Sequence, residues 1–391
     1  MIDAILSGLT ALTAGAQHLI TLNGLLCLAM LVIAGVMFYL AIVKDVEPLL
    51  LLPIAFGCFL VNLPLSEVMG HDGVLKTFYD FGIGNELFPL LIFVGIGSMT
   101  DFTPLIANPK LLLFGAAGQL GIFATLLLAL LVFNFTKEEA VSVAMIGACD
   151  GPTVIYVSNL FAGLNKIPTA MVGALAVAAY SYMALVPVIQ PPIMRLLTTE
   201  KERQVKMPSV KGKVSKTALI AFPLAVTLIT GIIAPKGLPL MGMIMLGNFM
   251  KVTGVVTRLT KCSENEIANI ATLFLGLAIG GTMFGPAFLK TETLFIFGLG
   301  LFAIIIDTAG GILLGKLWYL LSGGKVNPLI GAAGISAYPM AARLVQTEGQ
   351  RWNKHNFLLM HAMGANTGGQ IGSVMAAAIM LAVLKGLGVI P

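Results

Sequence analysis

One carboxylate stands in the middle of an apolar stretch of this chain. Asp150 lies in the motif Gly147-Ala-Cys-Asp-Gly-Pro-Thr153, between the apolar runs 140–146 and 154–158. An ionised carboxylate at membrane depth costs about 2.5–3.5 kcal/mol, so such residues usually mark a path for ions or substrates. The glycine that follows it adds backbone freedom, and the next residue, a proline, withholds an N–H, so a helix break is favoured. Because a broken helix frees carbonyl oxygens and exposes a helix dipole, we predict a cation site at Asp150.

The same motif has a simpler interpretation. It could form a tight turn at the membrane surface, with Asp150 serving as the N-cap of the next helix. Apolar sequence continues on both sides of the motif, which favours the membrane interior over the surface.

A second glycine-rich region supplies neutral oxygen donors. Asn327 and Ser336 lie in the run 327–343, and Asn366 lies in Gly364-Ala-Asn-Thr-Gly-Gly369. With freed carbonyls and one carboxylate, these side chains would form a hard oxygen site that suits Na⁺. For Asn327 and Ser336 the alternative is a turn with close helix packing.

Four more side chains are candidates. Arg343 would hold a substrate carboxylate by paired N–H donors, or else would snorkel to the membrane interface. Tyr180 and Tyr182 stand among small residues, so their hydroxyls would point into packed helices, or else they belong to an aromatic belt. Asp307 lies inside an apolar run without a breaking proline, and it ranks second to the first aspartate as an ion site.

The composition is that of a membrane protein. Of 391 residues, 58% are hydrophobic and 10% are charged, whereas soluble domains carry roughly 25% charged residues. We therefore predict an all-α polytopic membrane protein with packed, interrupted helices. The net charge of +5 needs no nucleic-acid partner, because seven of the 23 Lys and Arg residues fall between Arg195 and Lys216 and such clusters usually face the cytoplasm. The four cysteines lack CxxC spacing, so neither a disulfide framework nor a cysteine metal site is expected.

The polar intervals divide the chain into four predicted parts. Residues 1–21 form an N-terminal amphipathic segment, 22–197 a first membrane repeat, 198–216 a basic cytoplasmic linker, and 217–391 a second membrane repeat. Apolar runs predict helices near residues 22–43, 48–65, 88–98, 111–135, 169–197, 217–236, 238–257, 266–288, 293–321 and 357–390.

The two halves look alike where they are irregular. Phe88–Ser98 aligns with Asn327–Ala337, and the break at Gly147–Gly151 is matched by Gly364–Gly369. Inverted repeats with broken helices place their breaks together near the bilayer midplane. We therefore expect two inverted repeats whose breaks meet at one midplane site.

With these motifs established, the chain resembles the β subunit of sodium-pumping biotin-dependent decarboxylases. That family serves oxaloacetate, methylmalonyl-CoA, glutaconyl-CoA and malonate decarboxylases, and the resemblance runs from about Tyr39 to the C-terminus. The segments that carry it are Glu47–Gly57, Leu87–Gly97, Met99–Phe102, Asp150–Thr153, Ala178–Met183, Gln190–Met194, Asn327–Gly334 and His361–Gly364. Many relatives have Gly-Gly-Ala-Asp where this chain has Gly147-Ala-Cys-Asp150, and the interval from Asp150 to Tyr180 is longer than in some oxaloacetate-type relatives.

The resemblance implies a multi-pass subunit of the cell (inner) membrane that decarboxylates carboxybiotin and exports Na⁺ while consuming a proton. By this resemblance the catalytic residues are Asp150, Tyr180, Tyr182 and Arg343. The substrate-binding residues are Arg343, Asn327 and Ser336, and the Na⁺ site is formed by Asp150, Asn366, Asn327, Gly331 and Ser336.

The resemblance also implies partners. They are a biotin carrier protein, which would present the carboxybiotin, a carboxyltransferase subunit, and a small membrane subunit, and we expect a homo-oligomer. The acid decarboxylated upstream is chosen by another subunit and is left open. The main rival is a secondary Na⁺/carboxylate symporter without chemistry, because broken helices and inverted repeats would look the same. A purely structural anchor is disfavoured by the intramembrane aspartate.

Overall fold

The computed structural model describes residues 21–45, 47–208 and 214–390, and within these ranges every regular element is helical. The all-α prediction is therefore confirmed. Six helices in the described ranges are long and apolar enough to cross a membrane, and one bent pair would add a seventh. Apart from Thr21, which caps the first helix, the predicted amphipathic segment 1–21 lies outside the described residues.

Eleven helices precede the second half of the chain in the described ranges. They are α1 (Leu22–Val43), α2 (Pro48–Val61), α3 (Val74–Phe78), α4 (Leu87–Met99), α5 (Thr103–Ala107), α6 (Leu112–Ala117), α7 (Leu120–Leu131), α8 (Lys137–Ala144), α9 (Gly151–Gly163), α10 (Thr169–Leu197) and α11 (Glu200–Arg203). A π-helical turn, Tyr79–Ile83, precedes α4, and a 3₁₀ turn, Met145–Ala148, joins α8 to the break before α9.

The second half begins with the helix that follows the linker. Its helices are α12 (Lys216–Ile233), α13 (Leu238–Thr253), α14 (Thr257–Cys262), α15 (Ala268–Gly281), α16 (Gly285–Phe288), α17 (Thr291–Leu321), α18 (Met340–Trp352) and α19 (Leu359–Gly386). A π-helical turn, Ser263–Ile267, precedes α15, and a 3₁₀ segment, Pro328–Gly334, precedes α18.

Helices α2 and α15 cross with their backbones in contact. A Cβ atom on Gly57 would lie 2.3 Å from the carbonyl oxygen of Leu277, and one on Gly280 would lie 2.1 Å from that of Ile54. Small residues at such crossings allow the close approach that favours helix association in membranes.

Helices α4 and α13 cross in the same way. A Cβ on Gly247 would lie 2.1 Å from the carbonyl oxygen of Val94, and one on Gly97 would lie 1.9 Å from that of Ile244. In each of the four helices the glycine stands three residues after the carbonyl that the partner glycine approaches, so the two crossings share one contact pattern.

Further helix pairs in the two halves pack in corresponding ways. Helix α1 packs on α2 as α12 packs on α13, and α10 packs on α17 as α19 packs on α6. Since π-helical turns also precede both α4 and α15, the arrangement supports an inverted repeat, which remains a prediction.

The repeat alignment proposed from the sequence differs from this packing. Phe88–Ser98 lies within the unbroken helix α4, whereas Asn327–Ala337 contains the 3₁₀ segment and extended residues. Gly364–Gly369 lies inside the continuous helix α19, so the break predicted there is wrong. The reason is packing: a Cβ on Gly369 would lie 2.3 Å from the carbonyl oxygen of Gly334, so this glycine permits close approach and not a break.

The ends of α10 and α17 define one end of the bundle. Lys316 of α17 donates to the carbonyl oxygen of Leu197 over 3.0 Å, and the first linker residues, 198–208, pack against this region. We call it the linker end. The other end, called the far end, is marked by the pair between Lys166 and Glu138 at 3.7 Å. The four predicted parts of the chain, and the cytoplasmic location of the linker, stay predictions.

Candidate functional site

Asp150 lies at a break between two helices, as the motif predicts. The 3₁₀ turn ends at Cys149, whose φ of 51° is left-handed, and Asp150 is extended before α9 starts at Gly151. Asp150 occupies the N-cap position that the surface-turn interpretation required, yet it is only 8% exposed. The N-cap position is therefore confirmed, whereas the burial of Asp150 disfavours a surface turn, because the turn is enclosed by other helices.

A second break faces the first from the other half of the chain. After Pro328–Gly334 the chain becomes extended at Ile335, and Ser336 donates to the carbonyl oxygen of Gly369 over 2.8 Å. Asn366 donates to the carbonyl oxygens of Ala333 (3.1 Å) and Ile335 (2.7 Å). Asn366 thus holds the second break in place from within α19.

The two breaks reach each other from opposite ends of the bundle. Helices α8 and α9 start and finish at the far end, where Glu138 pairs with Lys166. The segment from Asn327 to α18 starts at the linker end, since Asn327 donates to the carbonyl oxygens of Arg203 and Val205. Helices α8 and α9 form one hairpin, and the segment from Asn327 to α18 forms a second. Each hairpin covers part of the thickness of the bundle, and the two tips meet inside it.

Asp150, Tyr180 and Ser336 line one cavity of 270 Å³. The sequence predicted all three as site residues, and the structure brings them together although they come from separate elements. The cavity lies between the hairpin tips and the crossing helices α2, α4 and α15. It reaches the surface where Leu49 (69% exposed) and Met99 (45% exposed) line it.

The two tyrosines have different surroundings. A Cβ on Gly151 would lie 2.2 Å from the ring of Tyr180, so this ring rests on the backbone beside Asp150. The Tyr180 hydroxyl is buried and has no hydrogen-bond partner among the described residues. The Tyr182 hydroxyl instead donates to the carbonyl oxygen of Phe297 over 2.5 Å, outside the cavity. Of the two tyrosines, Tyr180 is therefore the one that lines the cavity with a hydroxyl unpaired among the described residues.

Besides Tyr182 and Asn366, three more predicted site residues lie away from the cavity lining. Asn327 holds the linker, and Gly331 packs on α17, where its Cβ would lie 1.9 Å from the carbonyl oxygen of Gly311. Arg343 is exposed on α18 and interacts electrostatically with Tyr338, which does line the cavity. Their predicted functional roles remain predictions.

Several polar cavity residues were missed by the sequence analysis. They are Glu47, Glu264, Asn269, Thr272, Tyr338 and Gln370. Glu264 lies in the π-helical turn before α15, and Gln370 accepts from Thr100 at 3.3 Å. π-Helical turns are frequent at functional sites, but no residue pattern in the sequence signals this one.

The site offers oxygen atoms and little else to a cation. Carboxylate, hydroxyl and amide oxygens line the cavity, and such hard donors suit Na⁺ better than a transition metal. Within the described ranges no group of three or more His, Cys, Asp or Glu side chains could hold a metal ion. All four cysteines are free, and Cys149 is fully buried beside Asp150.

These features define a class of protein: a polytopic helical membrane protein in which two helix breaks meet at a central cavity that contains polar side chains. The family model of the Na⁺-transporting oxaloacetate decarboxylase beta subunit matches residues 27–384. The chain belongs to this family.

Named relatives support the assignment. The chain is 49% identical to methylmalonyl-CoA decarboxylase subunit beta of Veillonella parvula, over 91% of this chain and 92% of the relative. It is 48% identical to glutaconyl-CoA decarboxylase subunit beta of Acidaminococcus fermentans, over 91% and 93%. It is 41% identical to the oxaloacetate decarboxylase beta chain of Klebsiella pneumoniae, over 97% and 98%. The family resemblance predicted from the motifs is therefore confirmed, and the chain is a multi-pass membrane protein.

Proposed function

We propose that this chain is the membrane subunit that decarboxylates carboxybiotin and couples the reaction to Na⁺ export, with consumption of a proton. Membership of the Na⁺-transporting decarboxylase family supports it. The observation that carries the proposal is the cavity where Asp150 and Ser336 meet, on hairpins that enter from opposite ends of the bundle. This is the arrangement expected of an ion site that is exposed to each side in turn.

The chemistry requires one proton for each CO₂ released. The bond between the carboxylate carbon and the ureido nitrogen breaks, CO₂ leaves, and the nitrogen takes a proton to regenerate biotin. The site must therefore supply an acid close to the nitrogen and donors that orient the carboxylate.

Asp150 is the residue proposed to link the ion to the proton. When Na⁺ binds its carboxylate, the proton that this carboxyl carries moves toward the ureido nitrogen, with the free hydroxyl of Tyr180 as relay. The support is geometric: the Tyr180 ring rests on the backbone of Gly151, and the side chains of Asp150 and Tyr180 line the same cavity.

The remaining predicted residues are assigned supporting roles. Ser336 and the carbonyl oxygens near it would complete the Na⁺ site, with Asn366 holding that segment. Asn327 and Gly331 would fix the hairpin against the linker and α17. Arg343 would orient the carboxylate at the linker end, because a guanidinium matches a carboxylate with two N–H donors. Tyr182 would support the fold through its bond to α17.

Coupling follows from the position of the cavity. It lies between the hairpin tips and the crossing helices, so displacement of one helical group against the other would expose Na⁺ at the opposite end. The proposed partners are a biotin carrier protein, a carboxyltransferase subunit and a small membrane subunit. The relatives are named as subunits of methylmalonyl-CoA, glutaconyl-CoA and oxaloacetate decarboxylases, so the upstream acid belongs to one of these classes of substrate.

The experiment uses the purified chain and free carboxybiotin. CO₂ release is followed with and without Na⁺ for the wild type, for Asp150→Asn, and for Asp72→Asn as a control with an exposed side chain. We expect Na⁺-stimulated release in the wild type and in the control, and its loss in Asp150→Asn. Release that stays Na⁺-stimulated in Asp150→Asn would refute the proposed scheme.

The rival function is a secondary Na⁺/carboxylate symporter. A symporter would carry a carboxylate and Na⁺ into vesicles without releasing CO₂ from carboxybiotin, and it would not co-purify with a biotinylated carrier protein. Folded wild-type protein that released no CO₂ at any Na⁺ concentration would favour the symporter.

A further inference from the structure

A second aspartate is buried in the described structure, and the proposed reaction does not use it. Asp307 lies in the middle of α17 and is 0% exposed. It does not line the cavity of Asp150. Burying a carboxylate costs free energy unless the group is paired or hydrogen-bonded, so the contacts of Asp307 indicate its role.

One oxygen of Asp307 caps a helix from another part of the chain. Oδ1 accepts from the backbone N–H of Gly121, in the first turn of α7, at 2.5 Å. The residue before α7, Gln119, makes no side-chain cap bond, and its Oε1 has no hydrogen-bond partner among the described residues. Asp307 therefore satisfies an N–H group that α7 leaves open.

The other oxygen, Oδ2, faces the Met145–Ala148 turn, which ends two residues before Asp150. A Cβ on Gly147 would lie 2.8 Å from Oδ2 of Asp307, and one on Gly121 would lie 2.6 Å from its Cγ. Oδ2 has no hydrogen-bond partner among the described residues. The carboxylate thus fits between two glycine backbones, one at the start of α7 and one in the turn Met145–Ala148.

We propose that Asp307 is a positioning residue for the Na⁺ site: it ties α17 to the start of α7 and fixes the Met145–Ala148 turn, and that turn sets Asp150 at the cavity. The proposal rests on the proposed function, since it takes Asp150 as the ion-binding carboxylate. It assigns the effect to the shape and acceptor oxygen of Asp307 and not to its charge. Loss of a residue that orients the ligands of a metal ion typically costs about 10–100-fold in metal affinity or activity.

The test measures Na⁺ binding by calorimetry on the purified full-length chain, together with the KM for free carboxybiotin. Asp307→Ala should raise the Na⁺ dissociation constant by about 10–100-fold, the usual effect of losing an orienting partner, with little change in the carboxybiotin KM. Asp307→Asn keeps an acceptor oxygen and the same shape, so it should bind Na⁺ nearly as the wild type does. Thr308→Ala is the matched control, because Thr308 is the next residue, equally buried, and bonds Gln190 away from the turn.

A second variant approaches the same contact from the other side. Gly147→Ala would place a methyl group against Oδ2 of Asp307 and should weaken Na⁺ binding in the same direction, even where Asp307→Ala fails to fold. Wild-type Na⁺ affinity in folded Asp307→Ala, or equal impairment in Asp307→Asn, would overturn the proposal. Absence of Na⁺-stimulated CO₂ release in the wild type would instead refute the proposed function, and the binding measurements would remain a separate readout.

Discussion

Thr153 donates its hydroxyl to Oδ2 of Asp150 over 2.5 Å, within the first turn of α9. Both side chains are buried, so this bond is made away from bulk water. A hydroxyl that holds a carboxylate in one orientation reduces the reorganisation needed when a cation arrives. The short distance between positions 150 and 153 means that the motif carries its own orienting group.

The first prediction concerns that hydroxyl. Thr153→Val keeps the shape of the side chain and removes its donor, so the Na⁺ concentration for half-maximal CO₂ release should rise by about tenfold. Thr153→Ser keeps the donor and should stay close to the wild type. Equal Na⁺ dependence in the valine and serine variants would show that the bond does not orient Asp150.

The second prediction separates the two tyrosines. Tyr180→Phe removes the free hydroxyl at the cavity and should lower kcat by about 100-fold, within the usual contribution of a proton-transfer group. Tyr182→Phe removes a hydrogen bond to the carbonyl of Phe297 and should cost about 1 kcal/mol of stability, with kcat largely retained. Single-turnover CO₂ release and thermal unfolding distinguish the two effects. A larger kcat loss in Tyr182→Phe would reverse the assignment.

The third prediction concerns Arg343, which lies outside the cavity lining. Arg343→Ala should raise the KM for free carboxybiotin by about tenfold or more, because a charge-assisted pair with the carboxylate is lost. Na⁺ binding measured by calorimetry should be unchanged. Lys354→Ala is the control, since Lys354 is another exposed cation at the linker end. If both variants raise KM equally, the effect of Arg343 is a general electrostatic one.

The fourth prediction tests the matching crossings. Gly247→Ala would place a Cβ 2.1 Å from the carbonyl oxygen of Val94, so α4 and α13 must separate at a cost of about 1–3 kcal/mol. Gly57→Ala should destabilise to a similar extent if α2 and α13 are equivalent. Gly242→Ala, on the same helix as Gly247 but with no atom within 4 Å, is the control and should be neutral or stabilising. Thermal unfolding in detergent measures all three, and a neutral Gly57→Ala would argue against the equivalence.

The fifth prediction is a pH dependence at Glu348, which lies outside the candidate membrane spans. Hydrogen bonds from Arg195 to both carboxylate oxygens of Glu348, at 2.7 and 2.9 Å, hold the pKa of Glu348 below its ordinary value. A lowered pKa means that this stabilisation is present above the ordinary glutamate pKa of about 4.3 and is lost as the pH falls through the lower, folded-state pKa.

Glu348→Gln should therefore lower the unfolding temperature by a few degrees at pH 7, and its difference from the wild type should shrink below about pH 4.3. Glu266→Gln, which changes an exposed carboxylate, is the control and should show no such trend. A constant difference between Glu348→Gln and the wild type across this range would exclude the ion pair as its cause.

The local signal at Asp150 was sufficient to predict the helix break that carries it. A carboxylate followed by glycine and proline in an apolar stretch has few solutions, and the helix does break between Cys149 and Gly151. Tyr180 and Ser336 were also identified, but their meeting with Asp150 depended on the resemblance and on tertiary packing. Glu264 and Gln370 could not be found, because nothing in their own segments indicates which distant helix they face.

The repeat was harder to align because glycine has two uses. At Gly151 it begins a helix after a break, whereas at Gly369 it lets one backbone approach another inside a continuous helix. The proposed inverted repeat would align Ile54-Ala-Phe-Gly57 with Ile244-Met-Leu-Gly247, and Val94–Gly97 with Leu277–Gly280. Such four-residue matches are too short to recognise without the contacts that define them.

The carbonyl oxygens of Arg203 and Val205 each accept from two asparagines, Asn327 at the start of one hairpin arm and Asn356 just before α19. One short stretch of linker main chain is thus hydrogen-bonded to the chain segments on both sides of Ser336. A protein that docked on the linker and displaced it would act on both segments together, so the hairpin tip that carries Ser336 would move with the linker. A displacement of the linker at the surface would in this way be transmitted to the centre of the bundle.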